Sequence, residues 1–331
     1  MRRKSGFFSF IVVGLLTTAI PQVRAREKTG HGTRAATMSV PEVVGNTGQI
    51  QITSPGSDSV PVQFEKRAAS SVIRIRFGEN GRMLVPVTVN GSGTCAFLVD
   101  TGASMTMLNQ RLAKKLGAPA AKTEWVNTFA GRVALSARRV ESLQIGNSRI
   151  AGGSVLIGDL AHLFNLTPEV DGILGQDVLS LFNYIIDRRA GSLEIEEGNT
   201  LSTGLIGTKV PFERRGGVIY VPAAGGALHL ILDSGNPHLV IYEDAAPRCH
   251  AILTAIGGDS VVASSLGRRI FRLSRLPSLE IGGSALRNVE AILETRGRGR
   301  LEDGLLPPQI FDSIYLNNLE KFLIVNPERN R

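Results

Sequence analysis

Cysteine is scarce in this 331-residue chain, with Cys95 and Cys249 the only two. That excludes a disulfide-dense scaffold and a cysteine-built metal cluster. Each thiol lies near a different candidate loop, so the two are read as unpaired. Histidine is nearly as sparse. His31, His162, His229, His238 and His250 show no His-Glu-x-x-His spacing, so no metal centre is expected. A Gly-x-Ser-x-Gly elbow is missing, as is a phosphate loop ending in Gly-Lys-Ser/Thr, which removes the serine-hydrolase and nucleotide-binding readings. Aromatics make up 5% of the residues, too few for a base-stacking surface, and no nucleic-acid partner is expected. Long helical periodicity is lacking. Val, Ile, Leu and Gly fall in short runs broken by turn residues, the pattern of an all-β chain.

One apolar run stands out. Phe7 to Ile20 follows Arg2, Arg3 and Lys4 and precedes Val23-Arg24-Ala25. It is short for a membrane span and has small residues placed for cleavage after Ala25. Residues 1–25 are therefore read as a signal peptide. The product is expected to be exported, periplasmic or secreted, with no stable membrane anchor after cleavage. Removing Arg2, Arg3, Lys4 and Arg24 brings the net charge down from +8 to a mildly basic value. Residues 26–70, rich in Thr, Ser, Gly, Pro and Gln, are read as a flexible N-terminal segment. Arg296, Arg298 and Arg300, set among glycines, are read as a solvated basic loop.

The informative stretch is Phe97-Leu98-Val99-Asp100-Thr101-Gly102-Ala103-Ser104. An apolar run, read as a buried strand, ends in an aspartate and a tight glycine-bearing loop. A carboxylate at the mouth of a buried strand is costly unless other groups hold it. The same grammar returns at Leu230-Ile231-Leu232-Asp233-Ser234-Gly235. Further landmarks follow in the same order: Ser142 to Gly146 against Ser278 to Gly282, and Val170-Asp171-Gly172-Ile173-Leu174-Gly175 against Glu302-Asp303-Gly304-Leu305-Leu306-Pro307. Upstream, Val85-Pro86 matches Val221-Pro222. The chain is read as two copies of one β-rich unit. Glu124 to Leu135 reads as a hairpin, with Thr254 to Val262 as its counterpart. Asn109 to Leu116 reads as a short helix, and residues 196–207 as a polar linker.

These motifs resemble the aspartic peptidases of the pepsin and retropepsin group. Short lobes and an Asp-Thr-Gly-Ala loop look most like the bacterial two-lobed retropepsin-like proteins. The resemblance implies a bilobal pepsin-like acid-protease fold. It would have two homologous β-barrel-like lobes, residues 71–198 and 199–331, with a few short helices. It implies an exported aspartic endopeptidase in which Asp100 and Asp233 share one proton and activate a water. Thr101, Gly102, Ser234 and Gly235 would be the supporting loop residues, and Trp125, Phe129 and Gly131 the flap candidates. The expected partner is a peptide or protein substrate in extended conformation. The chain is expected to act as a monomer without cofactor or metal. Two alternatives stay open: a homodimer using two copies of Asp100, and a catalytically silent peptide-binding protein.

Three departures from the family pattern matter. Ala103 and Asn236 stand where pepsin-like loops often place a second hydroxyl, so a less acidic optimum is expected. Pro307 replaces the glycine usual after the paired apolar residues, which puts the second loop's geometry in question. His238, close in sequence to Asp233, is either a tuning group or an ordinary loop histidine.

Overall fold

The computed structural model describes residues 10–11, 65–67, 70–78, 81–117, 122–128, 131–164, 166–167, 169–196, 199–249, 253–264, 267–297 and 299–330. The signal-peptide and leader expectations lie almost wholly outside those residues, as do His31, Phe129, His250 and Arg298.

The first half contains β1 (Ser71–Arg74), β2 (Arg76–Phe77), β3 (Met83–Val89), β4 (Thr94–Val99), β5 (Met107–Asn109) and α1 (Gln110–Lys115). It continues with β6 (Lys122–Thr128), β7 (Gly131–Ile145), β8 (Ser148–Gly158), α2 (Leu160–Phe164), β9 (Gly172–Leu174), α3 (Gln176–Leu179), β10 (Asn183–Asp187) and β11 (Ser192–Glu196). After α4 (Thr200–Gly204) come β12 (Val210–Pro211), β13 (Glu213–Arg215), β14 (Val218–Ala223), β15 (Leu228–Leu232) and β16 (Leu239–Tyr242). The second half closes with β17 (Thr254–Ser264), β18 (Gly267–Ile281), β19 (Ser284–Glu294), β20 (Gly304–Leu306), β21 (Ser313–Asn317) and β22 (Phe322–Val325).

Each half builds its own sheet, and the two sheets have the same strand order. The first runs β6-β7-β8-β5-β9-β4-β3-β2 and the second β17-β18-β19-β16-β20-β15-β14-β13. In both, the strand leading to the aspartate lies parallel to a three-residue strand, Phe97 opposite Gly172 and Leu230 opposite Gly304. Register also supports the upstream match, because Val85 pairs with Phe97 and Val221 with Leu230.

Burial explains why the aspartate strands are continuously apolar. Phe97, Leu98, Val99, Leu230, Ile231 and Leu232 are each at most 1% exposed. Phe97 and Val99 join one hydrophobic cluster while Leu98 joins another, so both faces of β4 are covered. A strand with no wet face has no position for a polar residue.

A third sheet joins the halves in the order β12-β22-β21-β10-β11-β1. At its centre β10 and β21 pair antiparallel, with Tyr184 opposite Leu316 and Ile186 opposite Ile314. The result is a mostly β, two-lobed fold with short helices. Helix α1 starts where the Asn109 side chain accepts from Arg111 N at 3.0 Å. It ends on Arg138, whose guanidinium donates to the carbonyls of Ala113 and Leu116 at 2.7 and 3.0 Å.

Two expectations need correction. The stretch read as a polar linker holds α4, because buried Glu196 accepts from Leu201 N and from the Tyr315 hydroxyl. The arginines read as a solvated loop are counterions instead. The Arg300 side chain is 9% exposed and pairs with Glu302, itself 3% exposed, at 2.9 Å. Arg296 bridges Asp244 and Asp303 at 2.8 and 3.0 Å.

Candidate active site

The two aspartate loops meet at the junction of the lobes. Thr101 N donates to Ser234 Oγ at 2.9 Å, and Ser234 N donates to Thr101 Oγ1 at 3.0 Å. Thr101 Oγ1 donates onward to Leu232 O at 2.8 Å, and Ser234 Oγ to Val99 O at 2.7 Å. Each hydroxyl thus acts once as acceptor and once as donor across the junction. A short hydroxyl is the only side chain that can do both there.

The carboxyls are held with the same symmetry. Asp100 Oδ1 accepts from the amides of Gly102 and Ala103 at 2.9 and 3.1 Å. Asp233 Oδ1 accepts from those of Gly235 and Asn236 at 2.9 and 3.2 Å. Asp100 N donates to Leu174 O at 3.0 Å and Asp233 N to Leu306 O at 2.9 Å. Pro307 therefore leaves this contact intact, since it uses the carbonyl before the proline.

The loops approach closely enough to demand glycine. A Cβ on Gly102 would stand 2.6 Å from Asp233 Cγ, and one on Gly235 would stand 2.6 Å from Asp100 Oδ2. These contacts place each carboxyl against the opposite loop. Asp100 and Asp233 are both 0% exposed, and the Oδ2 atom of each is buried with no donor from a neighbouring group. Two ionised carboxylates could only leave those oxygens unsatisfied, whereas one shared proton supplies a donor between them.

Burial is the main reason both groups titrate high. It pushes Asp100 up from 3.8 to about 7, against the pull of the Gly102 and Ala103 amides, the neighbouring Asp233 carboxyl and the charge of Arg82. Asp233 is raised well above its ordinary value by burial and then by the charge of Asp100, with Arg300 acting in the opposite sense. The pair titrates as a unit.

Other anticipated residues fall as follows. Trp125 sits on β6 opposite Ala134 and is 58% exposed, and Gly131 opens β7 opposite Thr128. The hairpin β17–β18 has the same place in its sheet, with Ser264 opposite Gly267. Asn236 turns away from Asp233, its Nδ2 donating to His238 O at 2.8 Å. The His238 imidazole is pushed down by burial, and the carboxylate acting on it is Glu290, not Asp233. Cys95 and Cys249 are both buried and free. Among the described residues no cluster of His, Cys, Asp and Glu is placed to hold a metal.

Several supporting residues escape sequence reasoning. Gln176 Nε2 donates to Thr101 O at 3.0 Å and Gln309 Nε2 to Ser234 O at 2.6 Å, one amide beneath each loop. Their separation equals that of Asp100 and Asp233, a signal present in the repeat. Buried Asp177 accepts from Thr106 N and Oγ1 at 2.9 and 2.7 Å, and burial raises it to about 6.

Two hydroxyl-clasped aspartate loops thus meet where the two like lobes join. Residues 85–178 match the family model described as "Aspartyl protease", which covers the first loop, its hairpin and α3. No curated protein matches the chain. Among solved structures, the crystal structure of a retropepsin-like aspartic protease from Rickettsia conorii is similar at 23% identity. That alignment covers 41% of this chain and 95% of the other, with a TM-score of 0.29. The family match lies within the first lobe, and the second lobe repeats the same loop geometry.

Proposed function

We propose that the chain is an exported aspartic endopeptidase that acts as a single copy on extended peptides. The observation carrying this reading is the pair of buried, donorless oxygens, Asp100 Oδ2 and Asp233 Oδ2, at the point where each loop glycine touches the opposite carboxyl. One proton and one water complete that arrangement. The ionised carboxylate takes a proton from the water as its oxygen attacks the peptide carbonyl carbon. The neutral carboxyl gives its proton to the carbonyl oxygen. The resulting diol collapses when the amide nitrogen is protonated and the C–N bond breaks, which frees an amine and a carboxylic acid.

The Thr101–Ser234 grip lies within one chain, which supports a dyad drawn from a single copy. The hairpins β6–β7 and β17–β18 are the segments assigned to cover a bound peptide. Pepstatin-sensitive cleavage of a peptide library, lost in both Asp100→Asn and Asp233→Asn, supports this reading. Binding of peptides without cleavage favours the silent alternative. Export rests on the basic start and the apolar run before Ala25, and N-terminal sequencing of the exported protein should begin at Arg26.

A further inference from the structure

We propose that Arg214, on β13 of the second lobe, is a positioning residue for the first aspartate loop and acts through Gln176. Only the kinetic arm of its test rests on the peptidase reading. Arg214 Nη1 donates to Gln176 Oε1 at 2.9 Å, and Gln176 Nε2 donates to Thr101 O at 3.0 Å. Arg214 Nη2 donates to Asn318 Oδ1 at 2.6 Å, and Asn318 Nδ2 donates to Leu179 O at 3.2 Å, at the end of α3. The guanidinium lies 5.9 Å from the centre of the Phe212 ring.

This chain of bonds has a direction. A primary amide can face either way, and a flipped Gln176 would present its NH2 to the cation and its oxygen to the Thr101 carbonyl. Both contacts would then be repulsive. A guanidinium on Oε1 therefore fixes the amide donor toward Thr101 O. The carbonyl so held belongs to the residue between Asp100 and Gly102. The amides of Gly102 and Ala103 hold Asp100 Oδ1. The fork also reaches two acceptors at a set angle, which an ammonium cannot do.

The second loop lacks this brace. Gln309 Nε2 donates to Ser234 O, but its Oε1 is buried without a partner. One loop is thus tied to the opposite lobe through a charged donor and the other is not.

The test is a double-mutant cycle on the full chain, with Arg214→Met, Gln176→Leu and both together. Arg82 and Arg300, whose charges Asp100 and Asp233 feel, stay in place. The dyad titration is followed by carboxyl carbon shifts, alongside kcat and KM on a library-selected peptide. Arg214→Met should raise the apparent titration midpoint by about half a pH unit. It should also lower kcat about tenfold while KM moves less than about threefold. Arg214→Lys should restore part of both. In the Gln176→Leu background, Arg214→Met should add almost nothing. Additive effects, or a lowered melting temperature with midpoint and kcat unchanged, would overturn the proposal. If the wild type cleaves no peptide, the peptidase reading falls, while the titration midpoints still decide this one.

Discussion

Thr101→Val isolates the grip. Valine keeps the branched shape and nearly the volume of threonine, so packing changes little. What is lost is one hydroxyl serving two buried backbone groups: the Leu232 carbonyl, 2.8 Å away, and the Ser234 amide, 3.0 Å away. Thr101 and Ser234 are 0% exposed, so water cannot replace it. A buried polar group left unpaired costs about 1–3 kcal/mol. Two such groups give a loss of about 2–6 kcal/mol. At about 1.5 °C per kcal/mol for a chain of this size, the melting temperature should fall by roughly 3–9 °C. Calorimetry on wild type, Thr101→Val and Thr101→Ser checks this. Serine keeps the hydroxyl and should stay within about 1 kcal/mol of wild type. Ser234→Ala, which orphans Val99 O and Thr101 N, should resemble the valine variant. A valine variant melting within about 2 °C of wild type would refute the reasoning.

Stability should also carry the mark of the raised carboxyls. Asp100 moves from 3.8 in the unfolded chain to about 7 in the folded one, so between those values the native state binds the extra proton. That contribution is fully present below about pH 4 and is lost as pH rises toward 7. Buried Asp177, raised to about 6, acts in the same direction. Asp233→Asn should therefore flatten the decline and melt higher than wild type at pH 7; a lower melting temperature there contradicts this. The dyad lacks a hydroxyl donor at Ala103 and Asn236, so the kcat/KM profile should peak above the range of a dyad like pepsin's, whose lower pKa is about 1.5. A peak near pH 2 to 3 (about the midpoint of that example's two values) would count against it. Hydrogen exchange with pepstatin bound should show protection at both hairpin tips, around Thr128–Gly131 and Ser264–Gly267; protection of the first alone removes the second hairpin from substrate binding.

The two aspartate loops were legible in the chain because their pattern is local. An apolar run, an aspartate, a short hydroxyl and a glycine are consecutive, and repetition separates them from a surface turn. The likeness of the two sheets followed from the same repeat, since Val85-Pro86 and Val221-Pro222 keep equivalent register. What stayed hidden depends on partners far along the chain. The joining sheet pairs β10 with β21, more than 120 positions apart, and no local pattern specifies that pairing. Arg296 and Arg300 looked solvated because their immediate neighbours are glycines, although Glu302 and Asp303 stand only two and seven positions away; Asp244 alone comes from farther along the chain. Gln176 and Gln309 went unnoticed because a glutamine carries no signature. Its role is set by which carbonyl it faces.

Whether one chain alone makes one complete dyad is best decided by mixing inactive chains. Asp100→Asn and Asp233→Asn should each abolish peptide cleavage. Unfolding and refolding the two together should restore nothing, because every chain then carries only half a dyad. Recovery of cleavage in the mixture, or full activity in Asp233→Asn by itself, would show that the acting pair forms between copies.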